Sequence, residues 1–200
     1  MRRNVAILLF DEVEVLDFAG PFEVFAVTDE LSGYQSFNVY TVAENPTTIR
    51  ARNGLKLVPD HTGESAPQPH VLVVPGGFGT RALLKRPSII EWVRTRAKRA
   101  EITASVCTGA LVLGKAGLLD GLDVTTHAEN LDDLRALVPT ARVHGDRRFH
   151  DHGHIATAAG ISAGIDLSLH LVARLHDIAT AKATARYMEY HWENDHGATR

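Results

Sequence analysis

Two uninterrupted apolar runs, VAILLF at residues 5–10 and HVLVVP at residues 70–75, constrain this chain more than any other feature. A strand with one wet face alternates apolar and polar side chains. A run that is apolar at every position belongs to a strand covered on both faces. Amphipathic stretches separate these runs from further β-compatible segments. Pro21 suits the first turn of a helix whose sticky side is Phe22, Val24, Phe25 and Leu31. Residues 37–43 (FNVYTVA) read as a second strand and 55–58 as a short third, and 62–69 is a polar connection. Residues 88–99 form an amphipathic helix with Ser88 as N-cap and Glu91 three residues on.

The scheme then repeats. Residues 102–106 are a strand and 108–116 a buried helix of small residues. Residues 123–126, 142–143, 148–149 and 155–158 suit strands, and 130–138, 161–176 and 178–190 suit helices. Strands alternating with helices predict an α/β fold, with a mainly parallel sheet and helices on both faces. No repeat, low-complexity segment or shift in composition divides the 200 residues, so one domain over 1–200 is expected.

Composition narrows the function. With 44% hydrophobic and 22% charged residues the chain is globular in type, and a formal charge of -3 gives no electrostatic footprint for nucleic acid. The first apolar run is soon interrupted by Asp11 and Glu12, too soon for a signal peptide or a membrane span. A single cysteine forms no internal disulfide. A cytoplasmic protein without membrane or nucleic-acid partners is the expectation. The seven Lys/Arg between Arg81 and Arg99 then read as a solvated helix face.

That single cysteine lies in TASVCTGA, residues 103–110, between an apolar strand and a helix. A sharp strand-to-helix turn thrusts its central side chain out of the sheet and needs small neighbours. Ser105 and Gly109 supply them. The free N–H groups of the following helix favour a thiolate, so Cys107 is a candidate nucleophile. The alternative is a buried, inert cysteine. In DEVEVLDFAGPFEVF, residues 11–25, Asp17 stands out because Leu16 and Phe18 flank it. An acid so placed is partly buried and needs a partner. Loops at the carboxyl ends of parallel strands converge on one crevice, so Asp17 is expected to meet Cys107 and share or deliver a proton. The glycine-rich PGGFGT at residues 75–80 also opens on that edge. It lacks the pattern of a phosphate loop; the backbone N–H groups of Gly77 and Phe78, with that of Thr108, are expected to hold developing negative charge.

Together these motifs resemble the ThiJ/PfpI superfamily, related to class I glutamine amidotransferases. The resemblance runs through residues 5–10, LDFAGPFEVF at 16–25, VLVVPGGFGTR at 71–81, ASVCTGALVLGKAGLLDG at 104–121, VTTH at 124–127 and TAAGISAGIDLSLHLV at 157–172. Asp17-Phe-Ala-Gly20-Pro21 and Cys107-Thr108-Gly109 are most similar to its isonitrile hydratase branch. The protease-like and glyoxalase-like branches usually carry Glu where Asp17 stands. The resemblance implies a flavodoxin-like three-layer sandwich, a homodimer, a small-molecule substrate and no cofactor. It implies hydration of an isonitrile to an N-substituted formamide by Cys107 as nucleophile, Asp17 as proton donor and Thr108 positioning water. Gly20 and His127 are expected to line the pocket. A DNA-binding module, fused to this domain in some relatives, finds no room after the last helix.

Two other readings stay open. One is another cysteine-dependent hydrolase or a glyoxalase-type enzyme acting on a small carbonyl compound. The other is a sensor whose Cys107 is oxidised, or which binds a ligand without turnover. His150, His152 and His154 alternate as metal ligands on one strand face would, but Asp151 to Gly153 is turn chemistry, and no metal is expected.

Overall fold

The computed structural model describes residues 2–193. Its elements, in chain order, are β1 (Arg3–Leu8), α1 (Val15–Leu31), β2 (Phe37–Ala43), β3 (Ile49–Arg50), β4 (Lys56–Leu57), β5 (His61–Thr62), β6 (Val71–Val74), α2 (Thr80–Leu83), α3 (Pro87–Ala97) and β7 (Ile102–Val106). There follow α4 (Gly109–Lys115), β8 (Asp123–Val124), α5 (Leu131–Leu137), β9 (Arg142–Val143), β10 (Phe149–Asp151), β11 (Ile155–Ala158), α6 (Ala163–Leu175) and α7 (Ile178–Tyr187). The main sheet runs β10-β11-β7-β6-β1-β2-β5. All its pairings are parallel except β10 with β11. Helices α1, α6 and α7 pack together, as do α3, α4 and α5, giving the flavodoxin-like three-layer architecture. Both apolar runs are buried on both faces: Val5, Ala6 and Ile7 of β1 and Val71, Leu72 and Val74 of β6 are fully shielded.

From β1 the chain crosses through α1 to β2, then returns past β1 to β6 on its other side. The carboxyl ends of β1 and β6 therefore flank a topological switch point, where crevices form in open α/β sheets. The loops leaving these strands are clasped by main-chain atoms. Val13 and Gly77 form an antiparallel bridge. Glu14 N–H donates to Gly76 C=O at 3.0 Å, and Gly79 N–H to Glu12 C=O at 3.2 Å.

Several local expectations are corrected. Helix α1 starts at Val15, so Pro21 lies inside it and Asp17 in its first turn. Proline has no N–H, so the Asp17 carbonyl lacks its helical donor. Leu31, assigned to the sticky side, is 46% exposed at the helix end. Pro87 takes the first position of α3 and Arg86 the cap; Ser88 bonds Glu44 instead. Lys56–Leu57 pairs with Ile49–Arg50 in a hairpin off the main sheet, and His61–Thr62 is the edge strand. Asp123–Val124 pairs only with Arg142–Val143, in a separate two-stranded sheet. No helix among the described residues is long and apolar enough to cross a membrane. The expectation about chain beyond the last helix falls partly on residues 194–200, outside the described residues.

Candidate active site

Cys107 follows β7 directly, with φ at 55°. That is left-handed backbone for a residue with a Cβ, the strain of a nucleophile elbow. The surroundings hold it there. Cys107 N–H donates to the carbonyls of Ala158 and Ala159 at 3.2 and 2.9 Å. Thr126 Oγ1 donates to Cys107 C=O at 2.7 Å. Gly109 is required at the elbow, because a Cβ there would stand 2.0 Å from the Val74 carbonyl oxygen.

Asp17 is fully buried in the first turn of α1, and its Oδ2 accepts the Gly76 N–H at 3.0 Å. Gly76 admits this approach because it has no side chain: a Cβ would lie 2.9 Å from Oδ2 and 2.5 Å from Thr108 N. Oδ1 is buried without an aligned hydrogen-bond partner. The loops from β1, β6 and β7 thus converge, and Asp17 and Cys107 meet closely enough to perturb each other's ionisation.

Burial is the main influence on both groups. It raises the Asp17 pKa to about 7, against the Gly76 hydrogen bond and with help from the negative charge of Glu14. It pushes the Cys107 thiol up to about 12, and the Asp17 charge adds to the effect. The N–H groups of Thr108 and Ile161 face the sulfur and favour the thiolate, but do not prevail. The expected standing thiolate is therefore corrected: Cys107 is only 6% exposed, and α4, seven residues long, starts two residues later. Burial thus favours the protonated form of both groups.

The other candidates separate. Thr108 is buried, and its Oγ1 accepts the Gly77 N–H at 2.9 Å and donates to the Gly77 carbonyl at 3.2 Å. The Gly77 N–H is therefore occupied, and of the expected oxyanion set the Thr108 N–H is the one that faces the sulfur. The open side of Gly20 is filled by α6, since a Cβ would lie 2.9 Å from Ile165 Cγ1. That face of Gly20 makes a helix-packing contact. His127 packs on Gly160, where a Cβ would lie 2.5 Å from its Cδ2, and its Nδ1 accepts the Glu129 N–H at 3.3 Å.

Sequence reasoning missed Ile161. Its φ is 46°, a strained value for a β-branched residue, and its N–H points at the thiol. A signal existed: Gly160 breaks the pattern just before Ile161, and α6 starts only at Ala163.

Away from the elbow, a polar cavity of about 610 Å³ lies beside β10, lined by His144, His150, His152 and His170 among others. The His150–His154 stretch is a hairpin turning at Gly153, φ 83°. Asp151 within it is held by His170 at 2.8 Å and Arg174 at 2.5 Å. Among the described residues no set of three His, Cys, Asp or Glu side chains is arranged to hold a metal ion.

A flavodoxin-like sandwich with a strained cysteine elbow, and a buried carboxyl delivered by the first crossover helix, defines a class of α/β proteins built around one thiol. The chain belongs to the DJ-1/PfpI family, whose match spans residues 3–174. It is 36% identical over 192 residues to an isonitrile hydratase of Pseudomonas putida, covering 95% of this chain and 79% of that one. It is 27% identical over 188 residues to the HTH-type transcriptional regulator GbdR of Pseudomonas aeruginosa, covering 94% of this chain but 51% of the regulator. A crystal structure of a ThiJ/PfpI family protein from Pseudomonas syringae superposes with a TM-score of 0.86 at 30% identity, covering 98% of this chain and 78% of that one.

Proposed function

We propose that this protein hydrates isonitriles to N-substituted formamides through Cys107. The observation that carries the reading is a carboxyl group titrating near neutral pH against the one thiol of the chain, at a strained elbow. An isonitrile carbon must gain both a proton and a nucleophile, and a protonated thiol beside Asp17 supplies both. In the first step the S–H bond breaks, Asp17 relays the proton to the isonitrile carbon, and sulfur bonds that carbon to give a thioimidate. Water then adds across the C=N bond, its hydroxyl to carbon and its proton to nitrogen. The C–S bond breaks, the hydroxyl proton returns through Asp17 to sulfur, and the formamide leaves. The Thr108 and Ile161 N–H groups steady charge on the sulfur as it changes partners. Thr108 acts through its hydroxyl as a positioning residue, pinning the Gly76-Gly77 loop to the elbow.

Access favours this substrate class. The thiol is 6% exposed, and the isonitrile group is a narrow linear rod that ends in its reactive carbon. The 36% identity to an isonitrile hydratase supports the same reading. The sensor alternative draws on the regulators among the relatives, and turnover of an isonitrile by the purified protein separates the two readings. The homodimer implied by the family resemblance is part of the proposal, and sedimentation at micromolar concentration checks it. The main test is incubation of the protein with alkyl and aryl isonitriles while formamide is followed. Formamide formation that requires Cys107 supports the reading. No formamide from any of them removes it.

A further inference from the structure

The loop that carries Gly77 to the elbow also carries Phe78, which is 60% exposed. Two guanidinium groups lie over its ring, Arg52 at 5.7 Å and Arg81 at 5.0 Å from the centroid. The backbone ties all three residues to the site. Arg52 N–H donates to Val13 C=O at 2.9 Å, and Val13 bridges Gly77. Arg81 follows Thr80, whose hydroxyl reaches Thr108 Oγ1 at 3.3 Å. Among the described residues neither arginine forms an ion pair, whereas the guanidinium groups of Arg86 and Arg94 close by in sequence pair with Glu44 and Glu91. Negative charge nearby is supplied by Glu14, which acts on Asp17. The loop beside the elbow therefore presents an exposed aromatic face and two guanidinium groups without an ion pair among the described residues.

We infer that Arg52, Phe78 and Arg81 recognise the organic group of the substrate, and that this group pairs a carboxylate with an apolar body. The inference rests on the isonitrile reading and names its substrate class. A guanidinium stacked on a ring keeps its in-plane N–H donors free, the geometry that receives a carboxylate in two parallel hydrogen bonds. The ring offers the apolar surface beside them. A carboxylate held by the guanidinium groups leaves the isonitrile end of the substrate free to reach toward Asp17 and Cys107.

Two measurements test this, and the first does not depend on turnover. Cys107 is the only cysteine, so its alkylation by iodoacetate and by iodoacetamide is read unambiguously by mass. The iodoacetate-to-iodoacetamide rate ratio, relative to a small free thiol at the same pH, is expected to be raised about tenfold, the value of one charged hydrogen bond. It is expected to fall toward the free-thiol ratio in Arg52→Ala and Arg81→Ala, to be partly kept in Arg81→Lys, and to shrink with added salt. In the second, isocyanoacetate and its methyl ester are compared as substrates; kcat/KM is expected to favour the acid, with the preference reduced in the same variants. Hydration of both compounds with no preference, and no raised alkylation ratio, overturns the inference and leaves the isonitrile reading standing. A raised, arginine-dependent alkylation ratio without hydration of either compound overturns the isonitrile reading and retains the anion site.

Discussion

The Cys107 elbow and the histidine cleft beside β10 both gather titratable side chains at the margins of one sheet, and in both burial disfavours the charged form. Asp17 is raised to about 7, and His150 is lowered to about 4, by burial first and then by His144 and Arg147. Each region holds a buried polar atom without an aligned hydrogen-bond partner among the described residues, Asp17 Oδ1 in one and His150 Nε2 in the other. They differ in what surrounds those atoms. At the elbow the backbone is strained at Cys107 and Ile161, and among the described residues no arginine neutralises Asp17. In the cleft two carboxylates are satisfied: Arg142 and His144 hold Asp123 well below the usual range, and His170 and Arg174 hold Asp151 there. Backbone strain beside an unneutralised acid marks stored reactivity. Imidazoles laced to neutralised acids mark a fastening between β10, β8 and α6.

That contrast breaks first if Cys107→Ala keeps activity. We expect formamide production to fall by roughly 10⁴-fold or more, whereas His150→Gln leaves it within about twofold. Steady-state kinetics on both variants decides, and equal losses would erase the distinction. Next in size is Asp17→Asn, expected to lower kcat/KM by about 10²- to 10⁴-fold. Wild-type kcat/KM should fall as pH rises through about 7, where the proton donor ionises, and the variant should lack that step.

The same substitution sharpens the comparison in stability. A raised carboxyl pKa contributes stability that is complete below the unfolded value of 3.8 and is lost as pH rises through about 7. Asp17→Asn removes that loss, so at pH 8 it should gain on the order of 2–4 kcal/mol relative to its difference from wild type at pH 4. Denaturant titrations at the two pH values measure it. His150 has the opposite sign. Its lowered pKa gives stability that is complete above 6.5 and is lost as pH falls toward about 4. His150→Gln should flatten that acid limb by about 1 kcal/mol, a figure discounted for partial exposure. The smallest effect is Arg174→Ala, which removes one partner of Asp151 and should cost about 1 kcal/mol without changing turnover. A loss of turnover comparable to that of Asp17→Asn would make the cleft part of the active site.

The two apolar runs and the elbow were legible because each rests on local chemistry. Strands covered on both faces show as continuous apolar runs, and a tight strand-to-helix turn shows as small residues around Cys107. The meeting of Asp17 and Cys107 followed from a topological rule that holds for parallel sheets in general. The ionisation of the thiol was not legible. The helix-terminus argument gave the correct sign for the Thr108 N–H, but the size of the opposing burial depends on layers packed from distant segments. Ile161 was hidden for a related reason: a β-branched residue at positive φ defies its own propensity, and only tertiary contacts hold it. Pro21 misled because its first-turn preference is a tendency, and here the helix already runs on from Val15.

The clasp between the loops after β1 and β6 is made by main-chain atoms at Glu12, Val13, Glu14, Gly76, Gly77 and Gly79. Side chains at Glu12 and Phe78 can therefore be exchanged without undoing the main-chain bonds that hold the two loops together. The rim becomes a replaceable fitting on a fixed chassis, and a descendant of this chain could change what it admits while the chemistry beneath stays the same.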